Sequence, residues 1–185
     1  SLKNQTYEMI NPDKEIQTVY NFVDEREYSP KDSSGLKADL GLSENAKILI
    51  HVSNFRKVKR VMDVVETFSK VNREMDTRLL LVGDGPEMGR IVQQVRELNL
   101  EKQVLFLGKR DNLSELYSLS DAKLLLSEKE AFGLVLLEAM ACGVPCVGSS
   151  IGGIPEIINH GENGFLVELG DTDRAAEFII SMLKD

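Results

Sequence analysis

The chain has 185 residues, of which 42% are hydrophobic and 28% charged, and a formal net charge of −8 at pH 7. That length holds one domain with a tail, or one domain and a fragment of another. The acidic balance argues against nonspecific nucleic-acid binding, and no apolar run reaches the roughly 20 residues that span a bilayer. The polar start has no signal-peptide pattern and no initiating Met, so the reading is a piece of a longer, cytoplasmic protein. Cys142 and Cys146 lack the paired spacing of a zinc site, and His51 and His160 are remote. No metal site is expected, and the thiols read as buried and reduced.

In chain order, residues 16–20 read as a strand that ends a preceding domain. Residues 21–35, with Pro30 and Ser33-Ser34-Gly35, read as a linker. From residue 36 onward, short apolar runs alternate with helical patterns. Strands are expected at 47–52, 79–82, 104–107, 122–126, 146–148 and 165–167. Helices are expected at 60–75, 88–98, from Leu113, after Gly133, near 155–159, and after a cap at Asp171 or Thr172. Apolar strands alternating with amphipathic helices predict an α/β fold, a Rossmann-like parallel sheet with helices on both faces. Ligands bind such sheets outside the carboxyl ends of the strands.

The most informative stretch runs from Glu130 to Pro145, Glu-Ala-Phe-Gly-Leu-Val-Leu-Leu-Glu-Ala-Met-Ala-Cys-Gly-Val-Pro. Its apolar residues run nearly all round, which predicts a helix buried between other layers. Gly143 and Pro145 end that helix. Its N-terminus at Phe132-Gly133, continuing into Leu134 and Val135, offers free N–H groups and a positive dipole end to a phosphate. Glu138 is placed to accept hydrogen bonds from ribose hydroxyls, and Glu130 from hydroxyls of a second sugar. The plainer alternative is a core helix whose Glu138 is satisfied internally.

After the first strand comes Ser53-Asn54-Phe55-Arg56-Lys57-Val58-Lys59-Arg60, with four cations and no acid. Cations at a helix start oppose the macrodipole by roughly 0.3–1 kcal/mol each. A diphosphate between this loop and the Gly133 helix reverses that cost, with Lys59 and Arg56 as its contacts and Lys57 in solvent. The alternative is a solvated basic turn. Gly83-Asp84-Gly85-Pro86-Glu87 follows a strand, but Met88 stands where a nicotinamide fingerprint needs its third glycine. A tight turn with Pro86 at the first helical position is the simpler account. The segment Ser149–Glu156, with Gly152-Gly153, reads as a turn or a ligand approach. Gly108-Lys109-Arg110 ends another strand, where its backbone can meet a base edge.

These pieces together resemble the C-terminal, nucleotide-binding domain of a retaining glycosyltransferase of the two-domain GT-B type, family four. The resemblance covers about residues 15–185. It rests on Glu130 and Glu138 with seven residues between them, on Phe132–Pro145, on Val82-Gly-Asp-Gly-Pro86 and on Gly152-Gly-Ile-Pro-Glu156. Many members place an arginine five residues before the phosphate-binding lysine; Asn54 stands there here, and Arg56 is the expected substitute. That departure, with Val19-Tyr-Asn-Phe-Val-Asp-Glu25, resembles one branch of the family. For it the resemblance implies transfer of N-acetylglucosamine from UDP-N-acetylglucosamine to L-malate, with retention and without a metal. It further implies Arg56, Lys59 and Glu130 as catalytic residues. The donor is then held by Ser53, Asn54, Lys109, Arg110, Phe132, Gly133, Leu134, Val135 and Glu138. A separate N-terminal domain supplies the acceptor site, so the domain alone is expected to be inactive. A transferase of another sugar or acceptor, a nucleotide-sugar epimerase of related architecture and a noncatalytic nucleotide-sugar sensor stay open at this point.

Overall fold

In the computed structural model, residues 2–10, 13, 15–17 and 19–184 are described. Six strands form one sheet: β1 (Lys47–Val52), β2 (Thr77–Val82), β3 (Val104–Gly108), β4 (Ala122–Leu125), β5 (Cys146–Ser149) and β6 (Gly164–Val167). Every pairing is parallel and the order is β3-β2-β1-β4-β5-β6. Such a sheet must be covered on both sides, because a parallel crossover returns over a face. Leu49, Leu81 and Leu124 face one layer, formed by α3 (Val61–Glu74), α4 (Met88–Glu97) and α7 (Thr172–Lys184). Ile50, Val82 and Leu125 face the other, formed by α2 (Ser34–Asp39), α5 (Leu113–Ser118) and α6 (Leu134–Ala141). The largest apolar side chains at these interfaces, among them Phe68 and Ile48, are fully buried. Each contributes on the order of 1.5–3 kcal/mol by leaving water.

The helices follow their sequence signals. In α3, Val61, Val64, Val65, Phe68 and Val71 recur at helical spacing and are all buried. Asp171 caps α7: its carboxylate accepts from the Arg174 N–H at 2.9 Å, and its carbonyl accepts from Ala175.

Four expectations are corrected. At 16–20, Ile16, Gln17, Val19 and Tyr20 have no regular structure, and Thr18 lies outside the described residues. A helix, α1 (Leu2–Ile10), precedes them. The expected linker ends in α2, whose start at Ser34 the Ser-Ser-Gly sequence masks. Pro86 precedes Glu87, the cap of α4, so it is not the first helical residue. Finally, α6 is less buried than its apolarity predicts: Leu136 and Ala139 are buried, Val135, Leu137 and Met140 only partly, and Leu134 is 40% exposed.

The segment before α2 packs across the ends of α5 and α6. The Tyr28 ring lies 6.4 Å from that of Tyr117, and the Lys31 N–H donates to Ser118 Oγ at 3.0 Å.

Candidate functional site

Strand order dictates where a crevice opens. From β1 the chain winds toward β2 and β3, and from β4 toward β5 and β6. The loops leaving β1 and β4 therefore diverge, and a gap forms above their carboxyl ends. A cleft of about 430 Å³ lies there, lined by Asn21, Val52, Ser53, Asn54, Lys59, Glu130, Ala131, Phe132, Gly133, Leu134 and Val135.

The basic loop leaving β1 is anchored by Phe55, which is fully buried. A short 3-10 turn, Lys57–Lys59, presents Lys59 to the cleft, and Arg60 takes the left-handed conformation before α3. Two of the four cations are paired. Lys59 Nζ donates to Glu130 Oε2 at 2.6 Å, and Arg60 holds Asp63 at 2.6 Å. Side chains of Lys59 and Glu130 are only 19% and 14% exposed, so this pair spans the cleft away from bulk solvent. Backbone also joins the two loops: the Glu128 N–H donates to the Val58 carbonyl at 2.8 Å.

Gly133 caps α6 with φ 102, a conformation that favours glycine, and among the described residues no side chain bonds to this helix end. The amides of Leu134 and Val135 have no helical carbonyl behind them. They join Lys59 as hydrogen-bond donors on the same cleft, a suitable setting for an anion.

Deeper in the sheet, His51 is fully buried. Its Nδ1 lies 3.0 Å from the Leu124 carbonyl oxygen and its Nε2 2.8 Å from Ser53 Oγ. Burial, with Lys123 and Lys59 adding like charge, holds its pKa down at about 3, so the ring is neutral.

Glu138 is outside the cleft lining. It is half-buried on α6, where Tyr117 donates its hydroxyl to Oε2 at 2.9 Å. Lys123, fully buried on β4, has no hydrogen-bond partner among the described residues. Its ammonium lies 5.5 Å from the Tyr117 ring centroid, and burial pushes its pKa down to about 8.

Two glycine loops brace the site. A Cβ on Gly83 would lie 1.8 Å from the Ser53 carbonyl oxygen, and one on Gly152 would lie 1.9 Å from that of Glu130. On Gly153 a Cβ would meet the Ala131 oxygen at 2.4 Å. These turns approach the backbones of the two cleft loops, leaving no room for a side chain.

Of the residues singled out in the sequence, Ser53, Asn54, Lys59, Glu130, Phe132, Gly133, Leu134 and Val135 come together. Arg56, Lys109 and Arg110 do not: all three are exposed and outside the lining. Arg110 Nε donates to the Leu107 carbonyl at 3.0 Å. Asn21, His51, Tyr117 and Lys123 were not legible as site residues. Only Lys123 carries a signal, a cation within an otherwise apolar strand.

Among the described residues no cluster of His, Cys, Asp or Glu is arranged to hold a metal ion, and no helix is long and apolar enough to cross a membrane. Comparison with known proteins agrees with the fold. The chain is 61% identical, over its whole length, to N-acetyl-alpha-D-glucosaminyl L-malate synthase of Bacillus anthracis, and covers 49% of that protein. It thus spans about half the length of the curated relatives it matches. The crystal structure of Anabaena Alr3699/HepE in complex with UDP and glucose superposes with a TM-score of 0.85. There the identity is 30%, over 91% of this chain and 47% of that one. Sucrose-phosphate synthase from Thermosynechococcus elongatus matches the whole chain and 48% of its own, at a TM-score of 0.87 and 28% identity. The family model for glycosyl transferases group 1 matches residues 32–185, and the chain belongs to that family.

Proposed function

We propose that this chain is the donor-binding half of a cytoplasmic glycosyltransferase that moves N-acetylglucosamine from UDP-N-acetylglucosamine to L-malate, with retention at the anomeric carbon. The observation that carries the reading is the convergence of Lys59, Glu130 and the uncapped start of α6 on one cleft between β1 and β4. The 61% identity to the malate synthase supports the choice of sugar and acceptor, and the UDP complex of the Anabaena protein supports the nucleotide.

In this reading the diphosphate lies between Lys59 and the amides of Gly133, Leu134 and Val135. Lys59, now held by Glu130, has three N–H donors and can share them with phosphate oxygens. As the bond from C1 to the leaving oxygen breaks, charge grows on the diphosphate and meets donors already in place, usually the largest catalytic contribution. The malate hydroxyl bonds to C1 on the same face. Its proton passes to a phosphate oxygen of the departing UDP, so no protein base and no metal is required. Glu130 holds sugar hydroxyls and Glu138 the ribose. Arg56, exposed and without an ion pair among the described residues, is the second cation for the leaving group, and Lys109 and Arg110 border the uracil. Residues 1–20 end a preceding domain, 21–35 link it as far as the first turn of α2, and 36–185 bind the donor. The malate site belongs to that preceding domain.

The test is the full-length protein incubated with UDP-N-acetylglucosamine and L-malate. The expected result is α-linked product with UDP release, and a rate lower by about 10²–10³ in Lys59→Ala, the scale for losing one transition-state donor. Conversion of the donor to another UDP-sugar would make this an epimerase. Binding without turnover would make it a sensor.

A further inference from the structure

The buried histidine behind the cleft has a consequence for what the cleft can recognise. The Leu124 carbonyl can only accept a hydrogen bond, so at 3.0 Å the His51 Nδ1 must carry the proton. A neutral imidazole has one proton, and its Nε2 is therefore an acceptor. Ser53 Oγ, 2.8 Å away, must donate its hydroxyl hydrogen to that nitrogen. Among the described residues the charged groups acting on the ring, Lys123 and Lys59, are cations that oppose its protonation, and the Phe55 ring packs 6.2 Å from it. The serine backbone is equally constrained, since its N–H donates to the Val82 carbonyl at 3.1 Å and Gly83 lies tight against its own carbonyl.

We infer that Ser53 shows only lone pairs to the cleft and recognises a hydrogen-bond donor on the sugar of the nucleotide sugar, a hydroxyl or amide N–H, with His51 as the positioning residue that fixes this polarity. The inference rests on the nucleotide-sugar reading and divides the cleft by chemistry. Lys59 and the first amides of α6 donate, and suit phosphate oxygens. Ser53 Oγ and the Glu130 carboxylate accept, and suit sugar hydrogens. A phosphate oxygen against Ser53 would set lone pair against lone pair, so the diphosphate is excluded from this corner. Histidine thereby turns an ordinarily ambivalent hydroxyl into a one-way reader.

The test is calorimetric titration of the full-length protein with UDP and with UDP-N-acetylglucosamine. Ser53→Ala is expected to leave UDP affinity unchanged and to weaken the sugar nucleotide roughly 3- to 10-fold, one neutral hydrogen bond's worth. Ser53→Thr, which keeps the hydroxyl, is expected to restore it. Equal loss for both ligands, or loss for neither, overturns the assignment. Failure of the wild type to bind UDP refutes the nucleotide reading instead. Nitrogen-15 spectra of the histidine side chains supply a readout that packing alone would not move: His51 should hold the Nδ1–H tautomer from pH 5 to 8. An Nε2–H tautomer, or titration in that range, overturns the positioning role.

Discussion

Replacing Lys123 by Met should make the protein more stable near neutral pH. The lysine ammonium is fully buried with no hydrogen-bond partner among the described residues, and its pKa falls from 10.5 to about 8. Below pH 8 both folded and unfolded chains hold the proton, and the folded chain carries the full cost of the buried charge. Between 8 and 10.5 the unfolded chain holds more protons, so wild-type stability rises with pH. Linkage puts the cost at about 3 kcal/mol at pH 7 and at about half of that at pH 9.5. Methionine fills similar volume without a charge, so Lys123→Met should gain up to that amount at pH 7 and roughly half of it at pH 9.5. Urea unfolding of both proteins at the two pH values measures this, and the difference between them cancels every other titrating group. A variant less stable than wild type at pH 7, or an advantage independent of pH, would refute the reasoning. It would show that attraction to Glu138 and the Tyr117 ring outweighs desolvation.

Three further outcomes follow from the same geometry. The folded pKa of His51, about 3 against 6.5, means that protonation favours unfolding; stability present above pH 6.5 should decline by about 2 kcal/mol by pH 5, and a flat urea profile over that range would contradict it. Gly153 has φ −86, which alanine tolerates, yet its Cβ would meet the Ala131 oxygen at 2.4 Å; Gly153→Ala should cost about 1–3 kcal/mol in thermal unfolding and weaken UDP binding, whereas Gly35→Ala, with open space around it, should be neutral or stabilising. Tyr117→Phe removes the hydroxyl that holds Glu138 at 2.9 Å; it should lower stability by about 1–2 kcal/mol, the scale for a hydrogen bond to a charged group reduced by partial exposure, and an unchanged unfolding midpoint would make that bond ornamental.

Much of this was written locally in the chain. Parallel strands buried on both faces have to be apolar runs, and β1 falls where Lys47–Val52 predicts it. The Lys59 loop and the Glu130–Gly133 turn stand out because charge and glycine interrupt those runs at strand ends, which is where such sheets bind ligands. What escaped the sequence depends on contacts between distant residues. Nothing near Glu138 announces the Tyr117 hydroxyl, and nothing near Ser53 announces a histidine whose other nitrogen is held by β4. The glycine loops were legible as turns, but their purpose is visible only from the backbone beneath them. The apparent strand at 16–20 fails because an extended, β-branched segment needs a neighbour, and no described strand pairs with it. The all-round apolarity of α6 overstated its burial, since only Leu136 and Ala139 are buried and Leu134 is exposed.

The most direct measurement is a crystal structure of the full-length protein with UDP. The diphosphate is expected between Lys59 Nζ and the amides of Leu134 and Val135, with Ser53 Oγ clear of every phosphate oxygen. Nucleotide bound elsewhere, or phosphate seated on Ser53 with Lys59 still turned to Glu130, would contradict it.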